Sequence, residues 1–474
     1  MSRRSLIVAG VIGAALLAAI GLGIGLSTGG GGNHAVQSPH ASTTTPSPVA
    51  SSTTTTAKPV TPPTTVSVPK PSVVITPTTA PTTAPTSPTT APTPPTTTPN
   101  GQPGITDTQI RVAVVTDAAA VARGVEAWAS VVNQAGGLAG RTVKVDPHVV
   151  ASASAYTAAI GSACQTDFAL VGSSAQFDGQ TSGFACGIPE LATRVVTSAH
   201  QALANSFAVL PSRAGVVAVG AFKQLLSTTS GCCRQYVLVP TVEPARAIVQ
   251  SQTRGATVVG FEKAGTPDVP ATAGPAEYRK LVADLVAKGA TFARSGLGGA
   301  STVQLRKAAA ANPASSVVQA WYCDQSCADP PFLSDGGAAV ESQYVDVPAN
   351  PLSDQASIPA TAAYVQAAQH FGGPTLAGLE ANAAGLLFEQ VVKQVVAANG
   401  VNGITRARLL AAVGTVHGFT AAGILGATDV GARQPNGCFA LLQVRGGQLQ
   451  RVFPSAAGQL NCGSQNLQTV PKGG

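Results

Sequence analysis

Not one Phe, Trp or Tyr occurs in the first 104 residues of this 474-residue chain; all 21 follow. A packed core needs large apolar side chains, so folding is confined to residues 105–474. That part, 370 residues (474 less 104), is long enough for two α/β lobes. Upstream, residues 1–37 carry a run, 6–26, of 21 residues without a charge. As a helix it spans about 31 Å at roughly 1.5 Å per residue, the hydrocarbon thickness of a bilayer. Arg3 and Arg4 before it favour an inside N-terminus. A cleavable signal peptide would have a shorter apolar run and a small-residue cleavage site, which Ser27 to Gly32 match poorly. The sequence therefore predicts an N-terminal membrane anchor, a single pass with the globular part outside. No Cys precedes Cys164, which leaves no N-terminal lipid attachment site.

Residues 38–104 read as a disordered linker. Between 41 and 100 there are 22 Thr and 15 Pro, with only Lys58 and Lys70 charged. Such a segment cannot bury enough apolar surface to offset its chain entropy. Dense Pro favours extended polyproline-II stretches, and Ser/Thr with Pro is also the composition of O-glycosylated stalks.

The net charge of +7 does not mark a nucleic-acid partner. Removing Arg3, Arg4, Lys58 and Lys70 leaves 24 basic against 21 acidic groups, or +3, with no cluster of Lys and Arg interleaved with aromatics. Eight cysteines, all in the globular part, fit an oxidising compartment. Three local pairs, Cys164 with Cys186, Cys323 with Cys327 and Cys438 with Cys462, are expected as disulfides. Cys232 and Cys233 would form a vicinal disulfide or partner the 323/327 pair. No CxxC or HxxxH spacing accompanies them, so no metal is expected.

From residue 105 onward, strand and helix signals alternate. Gln109 to Thr116 is β-branched and apolar; Val121, Val125, Trp128 and Val132 then recur at helical spacing and stop at Gly136-Gly137. Further strands are expected at 142–145, 168–173, 206–210, 236–240, 257–261, 291–295 and 317–322, with helices such as 213–226, 276–288 and 303–311 between them. Long helices at 358–370 and 376–398 precede strands at 438–444 and 448–453. Repeated β-then-α units build parallel sheets covered by helices. The fold class is α/β, two Rossmann-like lobes with a hinge and an interlobe cleft at their facing strand ends.

Several segments resemble the branched-chain amino-acid-type substrate-binding proteins of ABC transporters, the type I periplasmic binding fold. They are Gly104 to Thr116, the Asn133, Gly136-Gly137 and Gly140-Arg141 turn, Phe168 to Ser174, Cys186 to Pro189, and the stretch from Gly418 to Gly447. The resemblance implies one lobe of about 105–226 plus 347–415, and another of about 227–346 plus 416–474. It implies that Ser173 and Ser174, in the turn after the third strand, contact a ligand carboxylate; a helix-capping serine is the competing reading. Thr193 loosely matches a second ligand-contacting segment. The second lobe offers Thr241-Val-Glu-Pro244 where the family often has an aromatic residue, and Leu379-Glu380 stands where Tyr-Asp is common. Tyr322 and Asp324 close a second-lobe strand, and Asp324 is expected to meet a ligand amine or to serve as a turn residue. Glu243, Gln176 and Phe177 are expected at the pocket wall.

An enzyme is not expected. Gly172-Ser173-Ser174 is no nucleophile elbow, because Gln176 stands where its last Gly should be, and HExxH is absent. The implied function is a membrane-tethered extracytoplasmic protein that captures a small polar, amino-acid-like ligand by lobe closure and presents it to an ABC permease, with no cofactor. The alternative is a sensor or cell-envelope interaction module built on the same lobes.

Overall fold

The computed structural model describes residues 101–471; the apolar run and the Thr/Pro-rich linker lie outside the described residues. Among the described residues, no helix is long and apolar enough to cross a membrane.

Strand β1 (Gln109–Thr116) is the buried β-branched run the sequence announces. Helix α1 (Ala119–Gln134) follows and stops at two glycines in the left-handed region, Gly136 (φ 97°) and Gly137 (φ 86°). A Cβ on Gly137 would come within 2.3 Å of the Arg141 carbonyl, so the turn closes only with glycine there. Strands β2 (Thr142–Val149), β3 (Ala169–Val171), β4 (Glu190–Ala192) and β5 (Ser206–Ala208) complete a parallel sheet of order β2-β1-β3-β4-β5, with α2 (Ala153–Thr166) and α3 (Ser198–Gln201) in its connections.

The chain then crosses over. After β6 (Val216–Ala218) and α4 (Gly220–Thr228) come β7 (Arg234–Pro240), α5 (Ala245–Val258), β8 (Glu262–Gly265), β9 (Asp268–Val269), α6 (Pro275–Ala287), β10 (Phe292–Ser295), α7 (Gly299–Ala310), β11 (Ala320–Cys323), α8 (Pro330–Gly336) and β12 (Tyr344–Val347). It returns to the first lobe for α9 (Pro359–Ala368), α10 (Leu376–Asn399) and α11 (Arg406–Val413). The hairpin β13 (Ala440–Arg445) and β14 (Gln448–Phe453), turned by Gly446-Gly447, then extends the second sheet to the order β14-β13-β12-β11-β10-β7-β8. A last strand, β15 (Leu467–Thr469), pairs with β6. Helix α10 lies against α1 so closely that a Cβ on Gly385 would meet the Trp128 ring at 2.3 Å. Trp128 and Phe388 pack edge to face at that contact.

Two element expectations are corrected. Residues 257–261 are no strand: Thr257 and Val258 end α5, and the strand is β8, because Val249 and Ala256 at helical spacing bury one face of α5. Residues 213–219 are no helix; Val216–Ala218 pairs with β15, and α4 begins only at Gly220. Phe222 on α4 packs against Phe261, Phe292 and Tyr322, so this helix belongs to the second lobe. The first crossing between lobes therefore precedes residue 220 rather than following 226.

The structure pairs Cys164 with Cys186, Cys323 with Cys327 and Cys438 with Cys462, and Cys232 pairs with its neighbour Cys233.

Candidate functional site

Parallel strands end on one side, so the loops after β1, β3 and β4 gather at one edge of the first sheet. Gly172 turns the chain there with φ 75°, packed so tightly on Val125 that a Cβ would sit 2.4 Å from its methyl. Ser173, which follows, is buried, and its hydroxyl accepts the Val115 N–H at 3.1 Å. The Thr193 hydroxyl donates to the Gly172 carbonyl at 2.9 Å. Ser173 and Thr193 thus fasten neighbouring strand ends to one another instead of presenting hydroxyls to a ligand. Ser174 differs: it is half-buried, and its hydroxyl bonds no group among the described residues. Gln176 is exposed, and its N–H donates to Asp117 Oδ2 at 3.1 Å. Phe177 is half-buried and packs against a small first-lobe core of Tyr156, Ile160 and Phe184.

In the second lobe, Glu243 is exposed and accepts the Ala247 N–H at 3.2 Å, a capping role at the start of α5. Tyr322 is buried with its ring against Phe222 and Phe292, and its hydroxyl donates to Asp346 Oδ1 at 2.5 Å. Asp324 is half-buried; its Oδ1 accepts the Ser326 N–H at 3.0 Å and the Ser326 hydroxyl at 2.6 Å, holding the loop stapled by Cys323 and Cys327. Arg294, on the adjacent strand, is buried and donates to Gln252 Oε1 at 3.0 Å, while its Nε has no partner among the described residues. Burial pushes the Asp346 carboxyl up to about 6, against the Tyr322 hydrogen bond and the positive charges of Arg294 and Arg194. Burial also raises Tyr322 and lowers Arg294.

Arg194 joins the two walls. Its guanidinium donates to both carboxylate oxygens of Glu380 on α10 at 3.0 Å and also to Gln325 of the second lobe. Glu380 is buried, which raises its pKa, and Arg194 opposes that shift. Beneath Arg194 runs a second buried layer. His200 Nε2 lies 2.5 Å from Glu190 Oε2, which also accepts the Ser206 hydroxyl, while Asp178 accepts the N–H groups of Val196 and Thr197.

Sequence reasoning missed Arg194, Gln325, Asp346 and Glu380 as a set. The available signals were local: Arg194 directly follows Thr193, and Glu380 is a charged residue among Leu379, Ala381, Ala383 and Ala384 in the buried half of α10. Among the described residues, no cluster of three or more His, Cys, Asp or Glu assembles to hold a metal.

No known family profile matches the chain, and no curated protein matches its sequence. Solved structures do match. The fold is that of the type I periplasmic binding proteins. A fatty acid ABC transporter substrate-binding protein from Thermomonospora curvata superposes with a TM-score of 0.58 at 14% identity, over 76% of this chain and 92% of that one. An ABC transporter substrate-binding protein from Desulfitobacterium hafniense, in complex with Leu, gives 0.56 at 14%, over 73% and 100%. A leucine-binding protein from Thermotoga maritima gives 0.58 at 13%, over 72% and 97%. The fold expected from the sequence is therefore present from β1 to β15.

Proposed function

We propose that the protein is a solute-binding protein that takes a small polar ligand into the crevice between its lobes and releases it unchanged. The observation that carries this reading is Arg194: anchored on Glu380 in one lobe, it reaches Gln325 of the other, so the same crevice is lined from both sides by polar groups. A ligand carboxylate has Arg194 and the free Ser174 hydroxyl to meet, and a ligand amine has Asp324 and Asp346. The structural neighbours include a fatty acid transporter's binding protein, a binding protein in complex with Leu and a leucine-binding protein, which supports an organic acid or an amino acid as the ligand class.

Closure of the lobes buries such a ligand and creates the surface that an ABC permease would read. The apolar run 6–26, with Arg3 and Arg4 before it, supports tethering to a membrane, and the four cysteine pairs support an extracytoplasmic site. A thermal-shift panel of amino acids, amides and small carboxylates tests the binding reading. At least one solute should raise the melting temperature saturably, because only the folded crevice binds it, and should be recovered chemically intact. Turnover of that solute contradicts the reading. Cell fractionation tests the tether: recovery of a soluble form that starts between residues 27 and 40 contradicts an uncleaved anchor.

A further inference from the structure

Behind the first-lobe wall lies a set of ionisable side chains that the ligand site does not use. Tyr156 on α2, Asp178 in the loop after β3, Glu190 on β4 and His200 on α3 are each 1 to 2% exposed. His200 sits at their centre. Its Nε2 is 2.5 Å from Glu190 Oε2, and its Nδ1 is 3.1 Å from the Asp178 carbonyl and 3.6 Å from Asp178 Oδ2. Ser206 on β5 donates to the same Glu190 oxygen, and the Phe184 ring packs edge-on at 4.8 Å. Among the described residues, the only group facing the imidazole with a proton to give it is the Tyr156 hydroxyl, at 3.5 Å. Both ring nitrogens thus face acceptors, an arrangement that suits the doubly protonated ring.

The network reaches the crevice through Asp178. Its two carboxylate oxygens accept the N–H groups of Val196 at 2.6 Å and Thr197 at 3.0 Å, which fixes the backbone immediately after Arg194. Asp178 itself ends the loop that begins with Ser173 and Ser174. One buried imidazole therefore links the two loops that supply the first-lobe wall.

We propose that His200 is the positioning residue of that wall: as an imidazolium between Glu190 and Asp178 it holds the 193–197 segment, and with it Arg194, against the 173–178 loop, and the wall loosens when His200 loses its proton. Burial by itself pulls the imidazolium pKa down, but the charges and hydrogen bonds of Glu190 and Asp178 outweigh it and hold the pKa above its ordinary value. Such a group contributes its full stabilisation below about pH 6.5, the unfolded value, and the contribution disappears as pH rises through the raised folded value. Without the proton, two carboxylates are left buried with no cation between them.

The positioning role rests on the crevice reading, yet its test needs no ligand. Hydrogen exchange of the full chain is followed on peptides spanning 193–197 across pH 6 to 9, corrected for intrinsic exchange, together with an imidazole NMR titration. The His200 signal is assigned among the six histidines by its loss in His200→Gln. Exchange should accelerate as pH passes the midpoint of His200 and level off above it. The double variant Glu190→Gln/His200→Gln, which removes the titrating imidazole together with its Glu190 partner, should show no such step. A flat wild-type profile, a step that persists in the double variant, or a His200 midpoint below the ordinary value would each overturn the proposal. If the double variant fails to fold, the wild-type profile and titration decide alone. A pH step with an entirely negative ligand panel would instead leave His200 in place and remove the crevice reading.

Discussion

The first-lobe wall comes from one stretch of chain, residues 172–200, with Glu380 added from α10; the second-lobe wall gathers Arg294, Tyr322, Asp324 and Asp346 from the ends of three strands. In the first, Asp178, Glu190, His200 and Arg194 are matched by donors or acceptors of opposite kind. In the second, the buried Nε of Arg294 has no partner among the described residues, and Asp346 is raised to about 6. A fully satisfied network specifies one arrangement, whereas a partly satisfied one leaves groups with hydrogen-bonding capacity in hand. The difference separates a plate whose buried polar groups are matched from a jaw that keeps buried groups unmatched.

Removing a member of the satisfied network should have the largest effect. Glu190→Ala leaves the His200 imidazole and the Ser206 hydroxyl buried without their acceptor, and urea denaturation should register a loss of about 3–5 kcal/mol. A loss below about 1 kcal/mol would remove the contrast between the walls. The disulfides extend the comparison. Replacing both cysteines of the first-lobe pair, Cys164–Cys186 with a separation of 22, should cost about 3 kcal/mol. For the second-lobe pair Cys323–Cys327, with a separation of 4, loop entropy gives about 2 kcal/mol. The reverse order would show that the Asp324 loop, not its length, sets the stability of that jaw.

Asp346 offers a change of opposite sign. Its folded pKa of about 6 lies above the ordinary 3.8, so the folded state holds the proton longer, and stability falls as pH rises through that window. Asp346→Asn keeps an acceptor for the Tyr322 hydroxyl without the charge. It should stabilise the protein by about 1–2 kcal/mol at pH 7.5, discounted for partial exposure, and change little below pH 4. A destabilised variant at pH 7.5 would mean that the jaw is set in one arrangement, like the plate. The smallest effect belongs to the caps. Asp324→Ala should cost about 1 kcal/mol through its lost bonds to Ser326. Exposed Glu243→Ala should stay within about 0.5 kcal/mol.

Fold was far more legible in the sequence than the site. Periodicity marks β1, α1, α6 and α10 because each buries one face or one whole strand, and turn glycines such as Gly136-Gly137 and Gly446-Gly447 punctuate them. It misleads at 257–261, where β-branched Thr257, Val258 and Val259 close a helix. The site is legible only where it is local: Ser174 keeps a free hydroxyl, but Ser173 and Thr193 turn the same chemistry inward to bind Val115 and Gly172. Arg194 and Glu380 are 186 residues apart, Arg194 and Gln325 131 apart. No spacing rule joins residues that meet only when distant segments, and then the two lobes, come together.

Calorimetric titration of the best solute from the thermal-shift panel into wild type, Arg194→Gln and Ser174→Ala tests the crevice most directly. Loss of a hydrogen bond to a charged group costs about 1.5–3 kcal/mol, so each variant should bind roughly ten- to hundredfold more weakly with one site per chain. Equal affinity in all three proteins would place the ligand elsewhere and contradict the account.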